Sequence, residues 1–393
     1  MPWKATSVMD EKVQFISDFL RDEEPMTVLC ERYGISRETG YLWKRRYALD
    51  GLQGLAERSR APHRHGRSTA SELVVRLIEA RKRKPYWGPK KLLAMLSKED
   101  PAVAWPAAST VADILRREGL SEPRRRRRRA LTVDQPFITV ASANDAWCID
   151  FKGWFRTGDG SRCDPLTVSD AFSRYLLGVE IVAPVGAAVE TVVDRLFREH
   201  GLPSRIRSDN GPPFASTGAG GLTRLSVRWA KMRIGLERIY PGKPQQNGRH
   251  ERMHGTLKAE TCDPPAATAS EQQRHFDRFR QEYNVERPHE ALGQKPPVDF
   301  YCASPRPFSE RLEDPCYGPD EQIRRVRTTG EIRWRGSLVF ISEALVGEAV
   351  GVRERDDGHW LVRFADVPLV LIDRYTAKVA RFGPGRPPRP EPN

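Results

Sequence analysis

Three carboxylates stand where a chain could use them for phosphoryl chemistry. Asp150 interrupts an apolar run, Trp147-Cys148-Ile149-Asp150-Phe151, and strand alternation turns it to the same face as Cys148 and Lys152. A carboxylate in the middle of a sheet is costly unless something charged meets it. Asp209 follows the β-like stretch RIRS and precedes NGPPF, at the carboxyl end of a strand, where open α/β sheets gather their ligands. Glu251 lies in QQNGRHERMHGTLKAE, where Asn247 and Gly248 can start a helix. That helix would put Asn247, His254, Gly255 and Lys258 on the side of Glu251. Two strand aspartates and one helix glutamate make an oxygen-rich cage for Mg²⁺, with Mn²⁺ as a substitute. Two such ions about 3.5–4 Å apart can activate a nucleophile and stabilise a leaving oxygen. Lys258 would then hold a phosphate beside the metals.

The same segment also reads His250-Glu251-Arg252-Met253-His254, the H-E-x-x-H pattern in which two histidines one turn apart bind zinc and the glutamate is the general base. Glu260, Glu271 and His275 follow and could supply a third ligand. The zinc reading leaves Asp150 and Asp209 without a role. There is no P-loop, no G-x-G-x-x-G and no serine elbow to support an NTPase, dinucleotide or hydrolase reading.

Elements to carry these residues are legible on either side. Met26–Tyr33 reads as a short amphipathic helix, Gly34 as a turn, and Ser36 as the N-cap of a helix from Arg37 to about Tyr47. This is a helix-turn-helix pattern, and Arg37, Glu38, Tyr41, Lys44 and Arg45 form the polar face it would offer to a major groove. A second helical block runs from about Ser71 to Leu120, its last helix capped by Ser109 or Thr110 and ended at Gly119. Six consecutive arginines, Arg124–Arg129, follow; Arg124, Arg125 and Arg126 read as a tether touching phosphates. From Pro136 the pattern turns to strands (145–155, 163–182, 204–211) with a helix at Val185–His200, the mark of a mixed α/β unit. Near residue 320 about five short strands begin, enough for a small barrel, and the tail GPGRPPRPEPN is too rich in Pro and Gly to fold.

At 393 residues the chain is long enough for two to four domains. Its net charge of +13 is uneven: residues 1–134 carry +10, residues 135–310 carry +2 and residues 311–393 carry +1. A basic excess confined to the helical end points to a polyanion partner, nucleic acid first. Six scattered cysteines without a C-x-x-C pair suit a reducing compartment, and no apolar run has the length of a membrane span. A cytoplasmic, nucleoid-associated protein without membrane or small-molecule partners is expected.

Five segments in order, IDFKGWF, DAFSRYLLG, SDNGPPFAS, LERIYPGKPQQNGRHERMHGTLKAE and YNVERPHEALGQKPP, resemble the core of bacterial insertion-sequence transposases with a retroviral-integrase-like fold, most closely the IS481 group. The likeness covers roughly residues 1–305. It implies an Asp150, Asp209, Glu251 metal triad on a ribonuclease-H-like sheet, with Asn247 and Lys258 at the DNA. Tyr283, Asn284, Arg287, Pro288 and His289 match a later motif in which a structural role is at least as likely as a catalytic one. The 42 positions from Asp209 to Glu251 exceed the integrase spacing, and Thr217–Gly221 is where the extra residues could form a mobile loop. The zinc module of retroviral integrases is absent; the N-terminus offers only Cys30, His63 and His65.

The expected organisation is a helix-turn-helix domain (1–66), a second one with the arginine linker (67–133), an α/β ribonuclease-H-like core with a mixed sheet (134–305), a small SH3-like β-barrel (320–382) and a disordered tail (383–393). The resemblance implies a transposase that binds the terminal inverted repeats of its element and performs metal-dependent cleavage and strand transfer into target DNA, as a homodimer or larger assembly. The rival readings are a DNA-binding regulator with an inactive core and a plain Mg²⁺ nuclease.

Overall fold

The computed structural model describes residues 7–57, 69–121, 139–239, 248–375 and 378–381. The chain divides into two compact units, 1–69 and 70–393. Arg124–Arg129, Asn247 and the Pro-rich tail lie outside the described residues.

In the first unit, α1 (Val8–Leu20), α2 (Met26–Arg32) and α3 (Arg37–Asp50) close on Phe15, Ile16, Leu29, Cys30 and Leu55. Gly34 takes a left-handed φ of 63°, which turns the chain between α2 and α3, and the Ser36 side chain accepts from the Thr39 N–H to cap α3. Gly40 is buried where a Cβ would come within 2.6 Å of the Cys30 sulfur, so the close helix crossing requires its missing side chain. The helix-turn-helix pattern is thus realised with a third helix ahead of it.

The second helical block holds α4 (Ser71–Arg83), α5 (Pro89–Glu99) and α6 (Ala108–Arg117) around Leu77, Trp87, Leu92, Leu96, Val111 and Leu115. Gly119 ends α6 at φ 68°, as its type suggests, but the N-cap is Ala107 with no side-chain bond. Ser109 and Thr110 fall inside the first turn, because Pro106 and Ala107 already set the extended entry and start the helix earlier.

Five strands form the central sheet in the order β5-β4-β1-β6-β7: β1 (Trp147–Phe151), β4 (Pro165–Asp170), β5 (Leu176–Ile181), β6 (Arg205–Ser208) and β7 (Gly235–Arg238). A small hairpin, β2 (Phe155–Arg156) with β3 (Arg162–Cys163), precedes β4. β5, β4 and β1 are antiparallel, and β1, β6 and β7 parallel, so the sheet is mixed as expected. The single stretch 163–182 is really two strands, split where Asp170 accepts from the backbone and hydroxyl of Ser173 and from the Asn144 N–H. One sheet face packs Trp147, Ile149, Leu166 and Val168 against α7 (Gly186–His200) and α8 (Arg224–Lys231). The other meets α9 (Gly248–Leu257) and α10 (Ala269–Val285) through Leu176, Val179, Met253, Leu257 and Phe276.

α10 also covers the open edge of β5 with amide side chains. Asn284 accepts from the Leu176 N–H at 2.8 Å and donates to its carbonyl at 2.9 Å, while Gln273 does the same for Ile181 N–H and Val179 C=O. These bonds satisfy groups that an uncovered edge strand would present to other chains. Asn284 therefore has a structural task.

The helical block rests on α10 and the segment after it: Lys84 Nζ lies 2.9 Å from Glu282 and 3.0 Å from Glu286, and Lys90 lies 2.5 Å from Glu290. Lys91, half-buried beside Arg287, is lowered by desolvation from 10.5 to about 8. Between pH 8 and 10.5 the unfolded chain then binds the extra proton, so the cost of charging Lys91 is complete below pH 8 and fades as pH rises to 10.5. Lys91→Met is expected to raise stability at pH 7 by about 1–2 kcal/mol, a figure reduced because the ammonium keeps partial access to water. Thermal melts at pH 7 and 10.5 check it, since the gain must shrink at the higher pH.

Beyond the core, β8 (Gln322–Arg325), β11 (Ala349–Glu354), β12 (Trp360–Phe364), β13 (Val367–Ile372) and β14 (Val379–Arg381) form an antiparallel sheet in the order β14-β13-β12-β11-β8, beside the hairpin β9 (Glu331–Trp334) and β10 (Ser337–Phe340). No pairing among the described residues closes these strands into a barrel. Ala219, Leu222, Val227 and Ala230 join Val350, Val362, Phe364 and Leu369 in one apolar cluster. Thr217–Gly221 is therefore a packed contact rather than the expected mobile loop. Ala219 is fully buried, and Gly220 approaches so closely that a Cβ would meet Leu369 and Val367 at 3.0 Å.

Candidate active site

β1 presents Trp147 and Ile149 to the α7 side and Asp150 to α9. Thr167 of β4 lies directly across from Asp150 and is fully buried. In the parallel pair, Cys148 is opposite Arg207; carried two residues further, past the end of β6 at Ser208, that register would bring Asp209 opposite Asp150, while the ligand cluster found among the described residues joins Asp150 to His250 and His254 and not to Asp209 or Glu251. Burial pushes the Asp209 carboxyl up from its ordinary range, opposed by the Gly211 N–H, which donates to it at 3.2 Å, and by the Arg238 guanidinium. Arg238 is itself half-buried, and desolvation lowers it to about 10.

Glu251 is exposed in the first turn of α9. It lines a groove of about 430 Å³ together with Tyr86, Arg252, Thr256, Glu260 and Arg287. Lys258 is also exposed, and it opens the π-helical turn Lys258–Cys262 that continues α9. Such turns widen a helix by one residue and recur at functional sites.

Asp150, His250 and His254 bring potential ligand atoms within 4.8 Å of one another. Hydrogen bonding nevertheless occupies the imidazoles. Thr167 Oγ1 is 3.0 Å from the Asp150 carbonyl, 2.6 Å from His250 Nε2 and 2.7 Å from His254 Nε2. With the hydroxyl proton on the carbonyl, which can only accept, both imidazoles donate Nε2–H to the oxygen. Ser169 Oγ stands 3.3 Å from His250 Nδ1 and satisfies its remaining lone pair. Burial holds His250 well below its ordinary pKa, and burial with the nearby Lys152 charge lowers His254 to about 4, so both rings are neutral at pH 7. In that tautomer neither Nε2 presents a lone pair to a zinc ion. The carboxylates of Asp150, Asp209 and Glu251 are the hard donors that suit Mg²⁺.

On α3, Arg37, Tyr41, Lys44 and Arg45 are all exposed, as the helix-turn-helix reading needs. The Lys44 ammonium lies 4.5 Å above the Phe19 ring, which ties part of its reach to α1. Arg124, Arg125, Arg126 and Asn247 fall outside the described residues. Thr167 went unnoticed in the sequence, where it is one threonine in an apolar strand; only the register opposite Asp150 distinguishes it. The one available signal was the spacing of His250 and His254, which reported two side chains aimed at a common point.

Family models for an integrase core domain match residues 141–244 and 232–297. A helix-turn-helix domain matches 11–63, and a homeodomain-like domain matches 39–115. An uncharacterized 31.7 kDa protein of insertion element IS407 from Burkholderia multivorans is 29% identical over 232 residues, 58% of this chain and 80% of that protein. An uncharacterized 39.2 kDa protein of insertion element IS476 from Xanthomonas euvesicatoria is 28% identical over 253 residues, 63% of this chain and 70% of that one. Among solved structures, the HTLV-2 integrase catalytic core domain in complex with magnesium aligns with a TM-score of 0.32 at 16% identity, over 40% of this chain and 97% of its own. Among the described residues no helix is long and apolar enough to cross a membrane.

Proposed function

We propose that the chain is an integrase-family transposase with helix-turn-helix domains ahead of its core, and that it cuts and joins DNA strands at Asp150, Asp209 and Glu251. The observation that supports the reading is the parallel register of β1 and β6, Cys148 opposite Arg207, which extended by two residues would bring Asp209 opposite Asp150. In this reading the first two parts (1–66 and 67–133) act on the element's ends and the core (134–305) acts at the reacting phosphate. The element ends are held together by a homodimer or larger assembly.

Asp150 and Asp209 would hold Mg²⁺ between them, with Glu251 completing the set. Bound there, the metal supplies charge for the attacking and leaving oxygens. Burial raises the Asp209 carboxyl, and a bound cation would favour its charged form. Arg238 stays close enough to attract the carboxylate and limits the charge left uncompensated. Lys258, seven residues after Glu251 and exposed, is placed to hold a DNA phosphate. The reaction is hydrolysis of one phosphodiester to a 3′-hydroxyl and a 5′-phosphate. That 3′-hydroxyl then attacks a target phosphodiester and releases a target 3′-hydroxyl, so no external energy source is needed.

The testing experiment incubates the full chain with DNA carrying the element's ends and Mg²⁺ or Mn²⁺, and follows cleaved and joined products. Binding to the ends with no cutting under either metal would overturn the reading in favour of a regulator, and cutting without joining would leave a nuclease. For recognition, Arg37→Ala is expected to weaken binding to the ends by roughly 5- to 150-fold, the 1–3 kcal/mol typical of a base contact. A filter-binding titration on specific and scrambled ends checks it, and equal loss on both would reassign Arg37 to the phosphates.

A further inference from the structure

We propose that Thr167 is a positioning residue for the carboxylate centre, and that His250 and His254 serve it as hydrogen-bond donors. The inference rests on the phosphoryl-transfer reading above but concerns different residues. Asp150 and Glu251 belong to elements nearly a hundred residues apart, and nothing in the sheet ladder itself orients a helix that crosses its face. Thr167 joins the two: its hydroxyl donates to the carbonyl of Asp150 itself, and it accepts from the imidazoles one residue before and three residues after Glu251. His250 and His254 stand one helical turn apart with ring centroids at 4.6 Å and an edge-to-face angle of 80°, so both Nε2–H groups converge on one oxygen. Two donors on one acceptor fix both the rotation of α9 about its axis and its position along β4. Those are the two freedoms that decide where the Glu251 carboxylate stands relative to Asp150.

Two of the three side chains are closed to solvent, Thr167 at 0% and His250 at 3% exposed, and His254 is half-buried. A buried hydroxyl with three partners leaves one buried and one half-buried imidazole donor without it if it is removed, and the helix must shift to find replacements. Partners of this kind, one bond removed from a metal ligand, change metal affinity or activity by about 10–100-fold when they are lost.

The test uses the full chain with Thr167→Ser, which keeps the hydroxyl, and Thr167→Val, which keeps the shape without it. Two readings are taken without DNA: Mn²⁺ affinity from the electron paramagnetic resonance of free Mn²⁺, and the tautomers of ¹⁵N-labelled histidines by long-range ¹H–¹⁵N correlation. The expected result is neutral Nε2–H signals for His250 and His254 in wild type and Thr167→Ser, altered signals in Thr167→Val, and Mn²⁺ binding about 10–100-fold weaker in Thr167→Val but within about threefold of wild type in Thr167→Ser. A folded Thr167→Val with wild-type Mn²⁺ affinity overturns the proposal, as do Nδ1–H signals in wild type. Tight Zn²⁺ binding lost in His254→Phe but kept in Thr167→Val also overturns it and restores the zinc pair. Should Thr167→Val fail to fold, His254→Phe, at a half-buried position, carries the same two readings with the same expected direction. Wild type that binds Mn²⁺ with the expected tautomers yet never cuts DNA overturns the phosphoryl-transfer reading alone.

Discussion

Asp150→Asn, Asp209→Asn and Glu251→Gln are each expected to lower strand cleavage and strand joining by roughly 10³-fold or more while leaving affinity for the element's ends within a few-fold of wild type. Each substitution keeps the shape of the side chain and removes one negative charge from a set whose task is to hold a divalent cation. The cation supplies several kcal/mol of charge stabilisation, and at about 1.4 kcal/mol per decade its loss or displacement removes on the order of three decades of rate. In the proposed reading, end binding falls to α3 and the basic N-terminal region, which the substitutions do not touch. A gel assay that resolves substrate, nicked and joined DNA, run beside a binding titration, checks both halves. Retained cleavage in Asp209→Asn would move the centre away from the carboxyl end of β6. Loss of binding in step with loss of cleavage would mean that the substitution had disturbed the fold.

Arg287→Met is expected to destabilise the 70–393 unit by about 3–5 kcal/mol, and the double change Arg287→Met with Glu260→Leu to recover most of that loss. The Arg287 guanidinium lies 2.6 Å from Glu260 Oε1, with side chains only 7% and 13% exposed. Burial raises the Glu260 carboxyl even against the pull of that guanidinium. Removing one member strands the other charge in a poorly solvated place, whereas replacing both with apolar groups of similar volume strands neither. Denaturant midpoints of the single and double variants decide it. Similar losses in both would mean that Arg287 contributes through packing, against the Trp87 ring 5.9 Å away, more than through its charge.

The motif YNVERPHEALGQKPP divides along the same line. Asn284 satisfies the β5 edge, Arg287 holds Glu260, and Tyr283 packs edge-on against His289 at 4.7 Å. All three are structural tasks, and the motif's position after a long helix could not reveal them. Side chains that hydrogen-bond to a strand edge and side chains that touch a substrate look alike in a sequence, since both are polar residues at fixed spacing.

What the sequence determined by itself is local. The cap at Ser36, the turn at Gly34, the apolar strand around Asp150 and the start of α9 near Gly248 follow from residue type and near-neighbour spacing, because capping, left-handed turns and hydrophobic alternation are interactions within a few residues. The basic excess in residues 1–134 is likewise a sum over sequence and needs no fold. The tertiary structure alone decided that His250 and His254 meet a threonine hydroxyl. It also decided that Thr217–Gly221 is a buried contact with the C-terminal sheet, and that the expected barrel strands pair as an antiparallel sheet of five with a separate hairpin. Each of these depends on which distant segments come to lie side by side. The H-E-x-x-H spacing fixes where two imidazoles point but not what waits there, and a buried hydroxyl stands against the Nε2 atoms whose lone pairs a zinc ion would have needed.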